Sequence, residues 1–376
     1  MYSRPGFVGT AMSKTIAATI LVILAATGCP GAAQELPPAA EAEPGAAPWS
    51  WFGDAVLRGN RTNDIPRAVD PSFSDVFGRG RFGVVYDPIP ALEFDAAIKL
   101  AAASGSNSQD RSRNFNERSN DIALDQFYLR FHATENMSLL LGKAPFPLPL
   151  SQMLWDQDLR PVGASTDIAF GLNEFDRLQF MAGYFAGDLP YADASRIGAL
   201  QAVYHWREGT PLNGSVALSY LDFSDLQQLV LQGFSRTNRR IPGTTNLVSG
   251  YRLLDLQFVG RMRIAEMPLE LRLDLVRNLG ADDQRDGARA SIVLGDSRQP
   301  HGWEFGLAGQ RIQRDAVMAA FNSDDWWFHS WARGIMPWLA YGLNSTWSAR
   351  LAAFHERRDG VSEYTDRVLV DVYARW

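Results

Sequence analysis

Strict alternation of apolar and polar residues over ten or more positions constrains this chain most. Within residues 91–103, apolar side chains form one row and charged side chains the other: Leu92, Phe94, Ala96, Ile98 and Leu100 against Glu93, Asp95 and Lys99. Successive side chains of a β-strand point to opposite faces, so one row would meet an apolar medium and the other water. Soluble strands usually have about five or six residues, whereas about ten are needed to cross a bilayer at a tilt. The alternation therefore favours membrane-spanning strands.

The same alternation recurs along the chain, at 81–86, 126–132, 254–263, 269–275 and 368–376. Its polar rows and their neighbours supply charged residues that would face a lumen. These predicted pore-lining residues are Arg79, Arg81, Glu93, Asp95, Lys99, Arg130, Asp255, Arg261, Arg263, Glu270, Arg272 and Asp274.

Counting all such segments from Trp51 to Trp376 gives about sixteen, and the connections between them alternate between short and long. After the N-terminal leader, the chain contains no run of about 18 apolar residues, the length of a transmembrane helix. In lipid, only helices and closed barrels satisfy every backbone hydrogen bond. We therefore predict an all-β fold, a transmembrane antiparallel β-barrel of about 16 strands with short periplasmic turns and long outer loops.

The N-terminal region predicts export. Arg4 and Lys14 precede an apolar run from Ile16 to Ala26, and small residues follow at 31–33, which is the pattern of a cleaved signal peptide. The sequence ATGC at 26–29 is also somewhat similar to a lipoprotein box, so lipoprotein processing at Cys29 stays open. We expect a signal peptide over 1–33, a Pro/Ala/Glu-rich periplasmic linker over 34–48 and the barrel over 49–376. Without the leader, 34 basic residues face 42 acidic ones, a balance that disfavours nucleic-acid partners.

Three stretches resemble known outer-membrane proteins. The last strand, with Tyr373 and a terminal Trp376, resembles the C-terminal signal that the barrel-assembly machinery recognises. Residues 141–163 and 309–327 are similar to two motifs of a porin family of Gram-negative outer-membrane β-barrel proteins. The matching residues are Trp155, Asp156, Asp158, Leu159 and Pro161 in the first motif, and Arg314, Asp315, Ala316, Val317, Asp324 and Asp325 in the second. The glycine-rich end of the second motif is replaced by Trp326, Trp327 and Phe328.

The resemblance implies that the third outer loop, 143–165, folds into the barrel and narrows it. Lys143, Asp156, Asp158 and Arg160 are then the candidates for a pore constriction. Opposite charges on the loop and the wall would set up a transverse field. The alternative is that Asp156 and Asp158 pair with wall arginines only to pack the loop.

The favoured function is an outer-membrane porin, a water-filled channel for passive diffusion of small hydrophilic solutes and ions. A plugged or adhesive barrel is the alternative, because 226–231 could form a short helix in the longest loop, and a barrel-wall lipase is a weaker one. The histidines lie in no catalytic or metal-binding motif, so we expect no enzyme activity, cofactor or metal. Expected partners are outer-membrane lipids and the barrel-assembly machinery, with a homotrimer implied by resemblance alone.

Overall fold

A computed structural model of the protein describes residues 48–66, 68, 71–186 and 194–376. Sixteen antiparallel strands form one closed sheet in chain order, as the alternation predicts. The strands are β1 (Trp49–Asn63), β2 (Phe73–Ile89), β3 (Leu92–Ala103), β4 (Asp121–Thr134), β5 (Met137–Lys143), β6 (Val162–Gly171), β7 (Arg177–Ala186), β8 (Arg196–Trp206), β9 (Asn213–Ser224), β10 (Tyr251–Ile264), β11 (Met267–Asn278), β12 (Asp286–Gly295), β13 (Trp303–Ile312), β14 (Ala332–Gly342), β15 (Trp347–Arg358) and β16 (Thr365–Arg375). The predicted leader and nearly all of the linker lie outside the described residues.

Pairing of β1 with β16 closes the barrel. The register runs from Asp54 opposite Arg375 to Asn63 opposite Asp366. At the C-terminus the Trp376 N–H donates to the Gly53 carbonyl at 3.1 Å, and the Gly53 N–H donates to the Trp376 carbonyl at 3.0 Å. The terminal aromatic strand therefore leaves no open sheet edge, which is what a membrane barrel requires.

The strand connections differ at the two ends of the barrel. Turns such as 90–91, 135–136 and 265–266 lie at one end. At the other end lie the loops L2 (104–120), L3 (144–161), L5 (225–250), L6 (279–285), L7 (313–331) and L8 (359–364). The predicted parity is confirmed, and L3 is the third loop at its end. L5 contains α1 (Gln227–Leu231), and L2 contains a short 3-10 turn (Asn107–Gln109). No helix in the described part of the chain is long and apolar enough to cross a membrane.

In each alternating segment the apolar row faces outward and the polar row faces inward, as the pattern predicts. Phe82, Phe127 and Leu256 face outward and are exposed. Outward aromatic residues stack at the short-turn end, where the Trp49 and Tyr86 ring centroids are 4.1 Å apart. This position suits the aromatic girdle of a barrel at a membrane interface.

The barrel interior contains a second hydrophobic core. Residues of L3, L5 and L7 pack against apolar inward positions on β7–β13: Met153, Leu154, Leu229, Phe234, Met318 and Phe321 against Phe185, Ile197, Leu221, Leu253, Val276 and Ile312. The inward folding of L3 agrees with the expectation from the resemblance. The entry of L7 was not predicted.

Candidate constriction site

L3 and L7 join to form one body inside the barrel, here called the L3–L7 lobe (144–161 and 313–331). The Asp156 N–H donates to the Phe321 carbonyl at 2.6 Å, and the Ser323 N–H donates to the Gln152 carbonyl at 3.0 Å. The Trp155 ring stacks between those of Phe146 and Phe321, with centroids 4.2 and 5.5 Å away. Aromatic stacking and backbone pairing hold the lobe together.

The charged edge of the lobe faces the wall formed by β1–β4. Asp158 forms ion pairs with Arg79 and Arg81, the latter at 2.7 Å. Asp54 lies 3.7 Å from each of these arginines. Burial alone would raise the pKa of Asp158, but the guanidiniums of Arg79, Arg81 and Arg160 outweigh burial and hold that pKa well below its usual range. Asp158 is therefore an ionised carboxylate between the lobe and the wall.

Some of this edge is open to water. The side chains of Asp158 and Asp54 are 38% and 32% exposed, whereas those of Arg79 and Arg81 are more covered. The two carboxylates are thus partly hydrated, whereas the two guanidiniums have little contact with water.

Asp156 has a different environment, although it lies only two residues away. It is buried and accepts hydrogen bonds from the Asn116 side chain at 3.2 Å and from the Asp158 N–H at 3.0 Å. Burial, together with the nearby Asp324 and Asp158 carboxylates, raises the pKa of Asp156. The geometry therefore corrects the expected constriction role of Asp156, because this residue binds the lobe to L2.

Arg160 is also buried. Its guanidinium donates to the Leu159 carbonyl at 3.3 Å and lies 3.5 Å from Asp125 on the β4 wall. Burial and the neighbouring Arg81 lower the pKa of Arg160. Arg160 thus carries positive charge beside the Asp158 cluster but has little contact with water.

Lys143 does not support its expected place in the constriction. Register places it opposite Phe127 on β4 and Val162 on β6. Both of these neighbours are exposed on the outward row. Because cross-strand partners share a face, Lys143 belongs to the outward side of the wall.

The predicted pore-lining residues all lie on inward rows, and those other than Arg79 and Arg81 separate into two groups. Near the short turns Arg130 pairs with Glu93 at 3.1 Å, Glu270 pairs with Arg261 at 2.8 Å and with Arg272 at 2.5 Å, and Arg263 is exposed beside the turn. The second group, Asp95, Lys99, Asp255 and Asp274, is buried. For this group the expectation of contact with open water is wrong, because neighbouring side chains and the inner loops cover it.

Three members of the buried group have defined partners. The Asp95 carboxylate accepts hydrogen bonds from Gln126 at 2.7 Å and Tyr128 at 3.1 Å. Lys99 pairs with Glu117 of L2. Gln257 donates to Asp255 at 2.7 Å. These contacts hold L2 on the wall and link inward side chains of the wall to each other.

The four charged residues of the second motif, Arg314, Asp315, Asp324 and Asp325, anchor L7. Asp315 accepts hydrogen bonds from Arg239 at 2.6 Å and from Tyr251 at 3.1 Å, and Arg314 donates to the Thr237 carbonyl at 2.8 Å. Asp325 pairs with Arg58 of β1 at 2.6 Å. Burial would raise the pKa of Asp325, but the guanidiniums of Arg58 and others outweigh burial and lower it.

Asp324 accepts a hydrogen bond from the Asn116 N–H at 3.2 Å. Burial and the adjacent Asp325 raise its pKa to about 6. Asn116 therefore connects two carboxyl groups of the lobe, Asp156 and Asp324, to L2.

The sequence interpretation missed two residues that hold L7, Arg58 and Glu356. Arg58 bridges Asp325 of L7 and Asp371 of β16, each at 2.6 Å. The Glu356 carboxylate accepts the backbone N–H groups of Trp327 at 2.7 Å and Phe328 at 3.2 Å. Both residues occupy inward positions on strands, which was the available signal, but their loop partners became visible only in three dimensions.

Solved structures provide the comparison. OprB of Pseudomonas putida is similar over 87% of this chain and 94% of its own, with 12% identity and a TM-score of 0.58. OmpT with loop L8 deleted, from Vibrio cholerae, covers 87% and 99%, with 10% identity and a TM-score of 0.52. A triple mutant of Rhodopseudomonas blastica porin covers 87% and 100%, with 9% identity and a TM-score of 0.50. The chain has the porin fold.

At these identities the likeness concerns the fold. No family model matches the chain, and no curated protein matches it. In this chain the L3–L7 lobe brings Asp158 to the wall arginines.

Proposed function

We propose that the protein is an outer-membrane porin through which small hydrophilic solutes and ions diffuse passively. The observation that carries the proposal is the partly exposed charge cluster at the edge of the lobe inside the barrel, where Asp158 pairs with Arg79 and Arg81 of the wall. Fixed charges of opposite sign across a narrow aqueous gap favour polar solutes and slow apolar ones. No catalytic step is part of this proposal.

The location and partners follow from the same proposal. An exported barrel with an apolar outer face would lie in the outer membrane, with lipids around it and the long loops outside. The barrel-assembly machinery would recognise the C-terminal strand with Tyr373 and Trp376. A homotrimer remains a proposal based on resemblance.

The test is conductance across a planar bilayer containing the purified, refolded protein. We expect stable single-channel steps and a reversal potential with a definite ion preference. Uptake of sugars of increasing size into proteoliposomes would then give the exclusion limit. Persistent silence from protein whose β-structure is shown by circular dichroism would contradict the proposal.

A plugged barrel is the second candidate, and one observation favours it. L5 joins the lobe, since Leu229 and Phe234 are fully buried in the same core as Phe321. A plugged barrel would stay silent as the native protein but conduct after Trp155→Ala, which removes the ring that holds L3 on L7. Native conductance would exclude this candidate.

A further inference from the structure

Residues 114–116 of L2, here called the L2 tip, lie against the L3–L7 lobe. Asn116 is fully buried, and the backbone at Asn114 is left-handed, with a φ of 60°. Asparagine adopts this conformation more readily than most other residues, so the residue type suits the bend of the chain at this point. The L2 tip is therefore a defined part of the structure around the lobe.

Asn116 binds both loops of the lobe. Its side-chain Nδ2 donates hydrogen bonds to the Asp156 carboxyl group at 3.2 Å and to the Asn322 carbonyl at 2.5 Å. Its backbone N–H donates to the Asp324 carboxyl group at 3.2 Å. Asp156 is part of L3, whereas Asn322 and Asp324 are part of L7, so this one residue joins L2 to the lobe at three points.

Asn114 adds two contacts with L7. Its side-chain Nδ2 donates to the Trp327 carbonyl at 2.9 Å, and its own carbonyl accepts a hydrogen bond from His329 Nε2 at 2.8 Å. His329 is buried. Because buried polar groups depend on such partners, the two contacts fix the L2 tip to the backbone of L7.

Arg236 of L5 holds the L2 tip from another side. Its guanidinium donates to the side-chain oxygens of Asn114 at 3.4 Å and Asn116 at 3.2 Å. It also donates to the Phe115 carbonyl. Hydrogen bonds from a charged donor are among the stronger ones in proteins, so L5 stabilises the conformation in which the L2 tip meets the lobe.

The residues on either side of the L2 tip bind the wall beside the arginines that face Asp158. Arg113 pairs with Asp75 of β2 at 3.2 Å, and Glu117 pairs with Lys99 of β3. Register places Lys99 directly opposite Arg81. L2 therefore connects the lobe to the same part of the wall that Asp158 reaches.

The two connections differ in how far water reaches them. The Asp158 side chain is 38% exposed, whereas Asn116 is fully buried. Ion pairs that water reaches hold a geometry weakly, but a buried donor that loses its acceptor has no water to replace it. The contacts of Asn116 with Asp156 should thus constrain the charged edge of the lobe (156–158) more than the ion pairs of Asp158 do.

We propose that the L2 tip sets the spacing between the charged edge of the lobe and the wall, with Asn116 as the positioning residue. The proposal rests on the proposed porin function, since this spacing would set the width of the channel and the distance of Asp158 from a passing ion. It assigns control of the constriction to L2, a loop that contributes none of the ion pairs of Asp158.

A distance measurement tests the spacing without reference to conduction. Spin labels on Gln157→Cys in L3 and Glu174→Cys in the turn between β6 and β7, both exposed positions, would be measured by pulsed electron paramagnetic resonance in a Cys29→Ser background. We expect one narrow distance distribution with the native L2 tip, and a shifted and broader one with Asn116→Ala. The control is Asn246→Ala, at an exposed position in L5.

Asn114→Gly is the second variant, for the case in which Asn116→Ala does not fold. Glycine keeps the left-handed backbone at this position and removes only the side-chain contacts with Trp327 and Arg236. It should broaden the distribution in the same direction. An unchanged distribution in the folded variants would overturn the proposal.

Reversal potentials test whether the spacing matters for ions. Asp158→Asn should change the permeability ratio about twofold at 0.1 M salt when the L2 tip is native. With Asn116→Ala or Asn114→Gly, the same substitution should change the ratio only about 1.4-fold, the value for a charge that has moved from about 8 to about 12 Å from the ion. An equal effect of Asp158→Asn in all backgrounds would show that the L2 tip does not position this charge.

The two readouts separate the proposals. A protein that conducts, but whose distances and selectivity do not respond to the L2 tip variants, contradicts the positioning role alone. A protein whose distances respond, but which never conducts, contradicts the porin proposal alone.

Discussion

Replacement of Asp158 by Asn should shift ion selectivity towards anions. Asp158 belongs to a cluster with equal numbers of acidic and basic groups: Asp54, Asp125 and Asp158 with Arg79, Arg81 and Arg160. The substitution keeps the side-chain volume and removes one negative charge. The cluster then carries one excess positive charge at the partly exposed edge of the lobe.

The size of this effect can be estimated. For an ion about 8 Å away in water, the Coulomb energy with one unit charge is about 0.5 kcal/mol. Screening at 0.1 M salt, with a Debye length of about 10 Å, reduces this energy to about 0.2 kcal/mol. Anions then become about 1.5-fold more concentrated and cations about 1.5-fold less, so the permeability ratio should change about twofold. At 1 M salt, where the Debye length is about 3 Å, the change should nearly vanish.

The assay is the reversal potential under a salt gradient, measured at low and high ionic strength. Asp156→Asn is the matched control, because Asp156 is buried and its pKa is raised. We expect little change in selectivity from the control. The reasoning is refuted if Asp158→Asn conducts with native selectivity at 0.1 M, or if its shift is equally large at 1 M.

Three other predictions concern the lobe. Trp155→Ala should destabilise the folded protein by about 3–5 kcal/mol and enlarge the conductance steps, as followed by thermal unfolding and bilayer recording; native step size would contradict the lobe's role as a constriction. Glu356→Ala should cost about 3 kcal/mol, because the buried N–H groups of Trp327 and Phe328 lose their acceptor; an unchanged unfolding midpoint would show that L7 does not depend on this contact. Since Asp324 has a pKa of about 6 against an ordinary value of 3.8, its proton is bound more tightly in the folded state, so it should make the protein more stable as pH falls from about 7 to about 4. Asp324→Asn should remove that part of the pH dependence in unfolding measured across this range, and an identical pH profile would disprove the assignment.

The wall of the barrel could be predicted from local pattern. Phe82, Phe127 and Leu256 were assigned outward, and they are outward, because a strand offers each side chain only two faces. The terminal strand predicted closure of the barrel. The alternation of short and long loops predicted the position of L3. These properties depend on residues that are neighbours in sequence or alternate along it.

The candidate site could be predicted only in part. Asp158 pairs with two of the wall arginines, as a loop charge within a lumen is expected to, and its role in a pore constriction stays a prediction. The prediction misplaced Asp156, since two residues that are two positions apart in a loop need not point their side chains the same way. It also misplaced Lys143, because the register of β5 decides which face of the wall this residue lies on. The apolar segment 316–321 in L7 was the signal of a second inward loop, but a loop gives no periodicity that would show where it packs.

The sequence by itself determined a closed antiparallel wall with an apolar outside and a charged inside. Only the tertiary structure decided which charges meet water, because the packing of L7 on L3 buries Asp156 and leaves Asp158 partly exposed. Only the tertiary structure also aligned Arg311, Arg333 and Arg357 in one row. The physical reason is that alternation is a local property of a strand, whereas burial and neighbouring charge depend on segments far apart in the chain.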